Sequence, residues 1–164
     1  QGIADPRRVA IVGWSFGGYI ALLGATRNSD LYRCAVSVAG ISDLLELRAQ
    51  ERNFIGGDIA VKEIGTDRDK LREDSPRRHA AGVRIPVLLA HGTLDANVEY
   101  EQSDIMASAL KRAGKDYELI TFKKADHQLW RPEERRRLFG AIETFLARNM
   151  APLPAPPATA SAPP

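Results

Sequence analysis

Three residue types that together can activate a hydroxyl group occur in this chain in the order serine, aspartate, histidine. Ser15 lies in the run GWSFGG, Asp95 follows HGTL, and His127 lies in ADHQL, with spacings of 80 and 32 residues. A serine hydroxyl is a poor nucleophile unless a base removes its proton, and a histidine base needs an acid that holds its tautomer. The three residues therefore suggest nucleophilic acyl transfer.

The residues around Ser15 strengthen this interpretation. A G-x-S-x-G run between a strand and a helix forms a sharp turn that exposes the serine. The turn is predicted to require glycine at Gly13 and Gly17, because a Cβ at either position would collide with the strand or the helix. The amide of Phe16, at the start of the helix, is the expected first donor to an oxyanion. The alternative is a glycine-rich turn with an incidental serine.

The histidines also have alternative interpretations. His127 has the polar neighbours Asp126 and Gln128, which would suit an exposed surface loop. His91 is predicted to make a structural hydrogen bond at the end of its strand. His79 falls in an irregular segment and is the weaker candidate.

The elements that must position these residues alternate between strand and helix. Short apolar runs predict four strands, at Arg8–Gly13, Cys34–Ala39, Val87–Ala90 and Tyr117–Phe122. Helical patterns follow them from Gly17 to Asn28, over Leu44–Phe54, over Glu101–Ala113 and from Pro132 onward.

The stretch Asp58–Gly82 is predicted to contain a short helix and an irregular crossover, and the first strand is predicted to be covered on both faces. Repeated strand–helix units indicate an α/β protein with a mostly parallel sheet and helices on both faces. Ser15, Asp95 and His127 all follow carboxyl ends of strands, so they are expected at one edge of the sheet.

Composition excludes several other classes of protein. The 164 residues are 44% hydrophobic and 27% charged, which is a globular composition, and the net charge of +2 is too small to indicate nucleic acid or an anionic membrane as partner. The lone Cys34 can form neither an internal disulfide nor a cysteine metal site, and no metal or cofactor is expected. No apolar run approaches the length of a membrane span, so a soluble protein is expected, in a compartment left open.

The two ends of the chain differ from its middle. Residues 151–164 contain only Ala, Pro, Leu, Thr and Ser, which predicts a flexible tail after a domain over residues 1–150. The chain begins at Gln1 rather than at a methionine, which suggests a piece of a longer protein.

The runs GWSFGGY, HGTLDANV and ADHQL resemble the catalytic domain of the prolyl oligopeptidase family of serine peptidases, most closely its dipeptidyl-peptidase and acylaminoacyl-peptidase branches. The resemblance extends from about Asp5 to about Asn149. It implies the C-terminal part of an α/β-hydrolase fold that cleaves short peptides without a cofactor. It also implies that Ser15 is the nucleophile, Asp95 the triad acid and His127 the general base.

The resemblance implies one further site residue. Asn97 occupies the position at which the dipeptidyl-peptidase branch uses an asparagine to hold a substrate carbonyl, and the alternative is an ordinary turn asparagine. The segment Leu44–Phe54 lacks the tyrosines that form the proline pocket in that branch, so strict specificity for proline is not expected.

Family members carry several strands, and usually a β-propeller, before the position of Gln1. That part supplies a second oxyanion donor, whose loss typically costs about 100-fold to 1,000-fold in rate. The first strand would lack a neighbour on one side and is expected to dock on those strands or on the propeller. The rival functions are an esterase or thioesterase of the same fold, or a non-catalytic interaction module.

Overall fold

The computed structural model describes residues 5–52 and 57–151 and contains a four-stranded parallel sheet. The strands follow one another across the sheet in chain order, with Ala10 opposite Cys34, Ala35 opposite Val87, and Val87 opposite Tyr117. Their bounds are β1 Ala10–Trp14, β2 Cys34–Val38, β3 Val87–Gly92 and β4 Tyr117–Phe122. The predicted parallel sheet is confirmed.

Helices cover both faces of this sheet, as predicted. They are α1 Phe16–Arg27, α2 Leu44–Glu51, α3 Gly57–Ile64, α4 Arg68–Glu73, α5 Glu101–Arg112 and α6 Pro132–Asn149, together with 3₁₀ helices at Ser29–Leu31 and Pro76–Gly82. Successive side chains of β3 enter different cores, because Leu89 packs with α1 and α5 whereas Leu88 packs with α6. One apolar core therefore lies on each face of the sheet, between the sheet and the helices.

Strand β1 is less buried than predicted. Every residue of β2 and β3 is buried, whereas Val12 in β1 is 49% exposed. Val12 is exposed because β1 lies at the edge of the sheet, whereas α6 packs over β2 and β3. The prediction that the first strand is covered on both faces holds only in part, because Ile11 packs against one core and Ala10 and Trp14 against the other while Val12 is exposed.

The segment after α2 is also more regular than predicted. Most of the stretch Asp58–Gly82 lies in α3, α4 and a 3₁₀ helix. The carboxylate of Asp67 caps α4 by accepting hydrogen bonds from the amides of Asp69 and Lys70, at 3.0 and 3.1 Å. Buried Val61 and Leu71 anchor the two short helices to the domain.

Parts of three predictions fall outside the described residues. They are the end of the second predicted helix at Phe54, the first four residues of the domain predicted over 1–150, and the tail after residue 151.

Candidate active site

Ser15 occupies the turn between β1 and α1 alone, because β1 ends at Trp14 and α1 begins at Phe16. Its φ angle is 58°, in the left-handed region that residues with a Cβ rarely adopt. Two backbone hydrogen bonds hold this conformation: the Ser15 amide donates to the carbonyl of Val38 at 2.8 Å, and the Ser15 carbonyl accepts from the amide of Tyr19 at 3.1 Å. The serine is thus held in a strained turn by its neighbours.

Only the first of the two glycines of this motif has the predicted role. A Cβ on Gly13 would lie 2.0 Å from the carbonyl oxygen of Gly17, which confirms that Gly13 must lack one. A Cβ on Gly17 would meet nothing within 4 Å, so the predicted collision at Gly17 is wrong. The restricted position is Gly18, where a Cβ would lie 2.7 Å from the Cα of Gly40. Only glycine fits at position 18 without a shift of the backbone, because α1 packs directly against the loop that follows β2.

Alanine substitutions separate these glycines. Gly17→Ala is expected to be neutral or to stabilise the protein by up to about 1 kcal/mol, because alanine is the better helix former. Gly18→Ala is expected to destabilise it by about 1–3 kcal/mol, because the helix must move away from Gly40. Urea unfolding at 25 °C measures both changes. A larger loss at Gly17 than at Gly18 would contradict this assignment.

Asp95 and His127 are joined by a short hydrogen bond. The Asp95 Oδ2 and His127 Nδ1 atoms lie 2.7 Å apart, and both side chains are buried. The other carboxylate oxygen of Asp95 accepts hydrogen bonds from the amides of Asn97 and Val98, each at 2.9 Å. The carboxylate is therefore fixed by its own loop while it orients the imidazole.

The loops after β3 and β4 bring these two residues together. The amide of Thr93 donates to the carbonyl of Phe122 at 3.0 Å, and the amide of Leu94 donates to the carbonyl of Ala125 at 2.9 Å. A Cβ at Gly92 would lie 2.4 Å from the Ala125 oxygen, so glycine allows this close approach. Because β3 and β4 are parallel neighbours, the loops that follow them place Asp95 and His127 within hydrogen-bonding distance.

Ser15, Asn97 and His127 line one cleft of about 510 Å³. Within the described part of the chain, the Ser15 and His127 side chains form no hydrogen bond with each other, and such bonds commonly tighten only when substrate is present. The backbone amide of Asn97 belongs to the Asp95 turn, while the residue also borders the cleft, so both interpretations of Asn97 find support. His127 is 8% exposed, unlike the exposed loop histidine of the alternative interpretation.

Two residues that the sequence analysis missed hold the His127 loop. The indole nitrogen of Trp14 donates to the His127 carbonyl at 3.1 Å. The guanidinium of Arg135 donates to the carbonyls of Leu129 at 2.9 Å and Gln128 at 3.2 Å. Trp14 is next to Ser15 in the chain, but nothing in its sequence position identifies a partner 113 residues away.

His91 makes the structural hydrogen bonds predicted for it, and it also contacts Asp95. Its Nε2 lies 2.8 Å from the Val98 carbonyl oxygen and 3.1 Å from Asp95 Oδ2, so Nε2 carries a proton because a carbonyl can only accept. Its Nδ1 lies 2.7 Å from the Ser103 hydroxyl. Asp95 is therefore shared by two imidazoles. His79, in contrast, lies in the 3₁₀ helix Pro76–Gly82.

The environment of Asp95 keeps it ionised. Burial by itself would raise the pKa of this carboxyl group, but hydrogen bonds from the His91 side chain, the Val98 amide and the His127 side chain outweigh burial and lower the pKa below its usual value. The group is therefore a carboxylate at neutral pH, as an orienting acid must be.

A mainly apolar pocket of about 710 Å³, whose far wall includes Glu63, Asp67, Lys70 and Asp74, begins directly after the serine turn. Phe16, which follows Ser15 and is 65% exposed, forms part of its wall. Further apolar walls come from Tyr19, Ile41, Leu44 and Leu47. The pocket can accept an apolar side chain next to the cleft.

Residues 5–52 and 57–151 contain neither a cluster of metal-binding side chains nor a helix that could span a membrane. None of their His, Cys, Asp and Glu side chains form a group of three or more that could hold a metal ion. Among the helices described there, none combines the length and the apolar character that crossing a bilayer requires.

Comparison with known proteins places the chain in a family. The family model described as "Prolyl oligopeptidase family" matches residues 1–152. The chain belongs to the prolyl oligopeptidase family. Its fold is accordingly the α/β-hydrolase fold, of which the described sheet and helices form a part.

Relatives and solved structures agree with this assignment. The dipeptidyl aminopeptidase BIII of Pseudoxanthomonas mexicana is 30% identical over 155 residues, which cover 90% of this chain and 22% of the relative. A puromycin-hydrolysing peptidase of Mycobacterium tuberculosis superposes with a TM-score of 0.83 at 32% identity, over 94% of this chain and 24% of the other. The acylaminoacyl peptidase of Pyrococcus horikoshii gives a TM-score of 0.83 at 30% identity, over 93% and 26%. The chain thus spans about a quarter of the length of the proteins it matches.

Proposed function

We propose that this chain carries the nucleophile, base and acid of a serine peptidase that cleaves short peptides through an acyl-enzyme on Ser15. The observation that carries the proposal is the buried 2.7 Å hydrogen bond between Asp95 and His127, in which the histidine borders the same cleft as Ser15. A strained serine, an oriented imidazole and a fixed carboxylate on one cleft are the parts that acyl transfer requires.

The reaction begins with proton transfer from Ser15. With His127 Nδ1 donating to Asp95, Nε2 is the free basic nitrogen and accepts the Ser15 proton as Oγ attacks the substrate carbonyl carbon. The carboxylate stabilises the imidazolium that results. His127 then protonates the leaving amine, which leaves the acyl group bonded to Ser15 Oγ. In the second half of the reaction His127 accepts a proton from water as the water attacks the acyl carbon, and it returns this proton to Ser15 Oγ as the carboxylic acid is released.

The oxyanion of the tetrahedral intermediate accepts a hydrogen bond from the Phe16 amide. Phe16 is the first residue of α1, so its N–H has no acceptor within the helix, and the positive end of the helix dipole favours the developing negative charge. Asn97, at the other border of the cleft, holds a second carbonyl of the substrate through its side-chain amide.

The apolar pocket indicates the kind of residue that precedes the cleaved bond. Its wall begins at Phe16, one residue from the nucleophile, so the side chain whose carbonyl is attacked enters it. Leu44 and Leu47 make this wall aliphatic, which favours an apolar side chain rather than proline alone. The names of the relatives, a dipeptidyl aminopeptidase and an acylaminoacyl peptidase, support short peptides as substrates.

A fluorescent fluorophosphonate tests the proposal, because it modifies only activated serines. We expect one adduct, located on Ser15 by peptide mass spectrometry. Faster cleavage of peptide anilides with an apolar last residue than of short acyl esters supports a peptidase, whereas the reverse order indicates the esterase or thioesterase alternative. A folded, unlabelled chain in a stable oligomer would instead indicate an interaction module.

The exposed edge of β1 supports a second proposal, namely that further strands or a propeller of the same protein dock there. Val12 on β1 is 49% exposed and Phe139 on α6 is 58% exposed, and β1 is the edge strand of the sheet in the described part of the chain. Amide hydrogen exchange measures this directly. We expect the amides of Ala10–Trp14 to exchange more slowly in the full-length protein than in the 164-residue chain, and equal rates would contradict docking at β1.

A further inference from the structure

Helix α2, helix α4 and the following 3₁₀ helix surround a small pocket in which arginine predominates. Its volume is about 330 Å³. We call it the arginine pocket, and its six arginines are Arg48, Arg52, Arg68, Arg72, Arg77 and Arg78. From it we infer that the protein binds a multivalent phosphate ligand here, at a site separate from the cleft of Ser15.

The positive charge of the arginine pocket is only partly neutralised by the protein. Arg77 pairs with the buried carboxylate of Asp43, Arg72 lies 3.3 Å from Asp69, and Glu46 is in the lining. Six guanidinium groups against these three carboxylates leave about three positive charges. The whole chain has a net charge of only +2, so this concentration does not reflect a generally basic surface.

The spacing of the arginines opposes helix stability. Arg68 and Arg72 are four residues apart on α4, and Arg48 and Arg52 are four residues apart at the end of α2. Like charges at this spacing repel each other and destabilise a helix. A bound anion would convert both repulsive pairs into attractive contacts.

Arg48 provides an independent sign that an acceptor is required. Its Nε is buried and has no hydrogen-bond partner within the described part of the chain. A buried N–H donor that lacks an acceptor is costly, so an acceptor bound beside Arg48 would stabilise the protein. Other guanidinium groups in the structure have such partners, for example Arg77 with Asp43.

The chemistry of the guanidinium group indicates phosphate. Guanidinium is planar, always charged, and presents parallel N–H donors that match phosphate oxygens. A di- or triphosphate carries a negative charge about equal to the net positive charge of the arginine pocket. It also offers hydrogen-bond acceptors to several arginines at once, whereas a single carboxylate has only two oxygens. The pocket is large enough for such a group. The catalytic cleft, in contrast, is lined by a different arginine, Arg135.

Titration with tripolyphosphate at constant ionic strength tests this site. Calorimetry with the 164-residue chain is expected to show one site, and the melting temperature should rise by about 5–10 °C at a hundredfold excess over Kd. The double substitution Arg52→Gln/Arg68→Gln, at two exposed positions, should weaken binding by about tenfold or more. Arg48→Gln should weaken it similarly.

A charge-matched pair controls for general electrostatics. Arg112→Gln/Arg136→Gln removes two exposed arginines from α5 and α6 and should change Kd by less than about twofold. Equal weakening by both double substitutions would overturn the site, as would the absence of saturable binding. Citrate carries three carboxylates, and binding of citrate as tight as that of tripolyphosphate would overturn phosphate as the ligand class. None of these measurements depends on peptidase activity, so the site can fail independently of the proposed function.

Discussion

Substitution of Ser15 by alanine is expected to abolish fluorophosphonate labelling and to lower peptide hydrolysis by roughly 10⁶-fold, because no other group in the proposed mechanism forms the acyl bond. The fold should remain intact. The Ser15 side chain makes no capping hydrogen bond to α1, and the bonds that hold the turn use its backbone. We therefore expect the free energy of unfolding to change by less than about 0.5 kcal/mol.

A neighbour in the cleft provides the control for this substitution. Gln128 lines the same cleft as Ser15 and is exposed, but it offers no nucleophile. Gln128→Ala should retain labelling at Ser15. Labelling that persists in Ser15→Ala would remove this serine from the mechanism, and circular dichroism together with urea unfolding would show whether the variant had folded.

The second large effect concerns the acid behind the base. Asp95→Asn is expected to slow acylation by about 10⁴-fold, since an amide in place of the carboxylate favours the wrong tautomer of His127 and does not stabilise its charged form. The asparagine retains an oxygen that can accept from the amides of Asn97 and Val98, so the turn should persist. Its new amide donor would compete with His91 and His127, and the resulting loss of stability should be about 1–3 kcal/mol.

Asp126 offers a matched control for Asp95. It precedes His127 directly, and its side chain accepts from the amide of Gln128 at 3.1 Å within the same loop. Asp126→Asn removes an equal charge from the residue next to His127, and we expect the labelling rate to change by less than about threefold. If both substitutions slowed labelling equally, general electrostatics rather than tautomer control would explain the effect.

Much of the fold could be predicted from local patterns. The strand Tyr117–Phe122 has the predicted bounds, and β2 differs from its prediction by one residue at its end. These segments are short apolar runs with polar or glycine boundaries, and such runs have few alternatives in an α/β chain. The crossover Asp58–Gly82 was predicted less well because its helices have only six to eight residues each, too few to show a clear helical period. Its one clear local signal, Asp67 as the cap of α4, was overlooked.

Local patterns likewise predict the residues of the candidate site but not all of the contacts that hold them. Ser15, Asp95 and His127 could be nominated because each follows a strand, and parallel strands deliver their carboxyl ends to one edge. The contacts that hold the His127 loop could not be predicted, because Trp14 and His127 are separated by 113 residues and no local pattern links them or Arg135 to this loop. The restricted glycine also differs from the motif, since Gly18 faces Gly40 on another loop.

By itself the sequence determined the type and order of the strands and most helices, the position of the serine turn, and the identities of the acid Asp95 and the base His127 that are proposed to act with Ser15. These properties depend on periodicity and on glycine and proline at element ends, which act within a few residues. Only the tertiary structure decided that Val12 in β1 is exposed, that Asp95 contacts two histidines, and that the two arginines of α2 and its end meet the four arginines between residues 68 and 78 in one pocket. Those properties depend on which faces pack together, and packing joins residues whose separation along the chain carries no local signal.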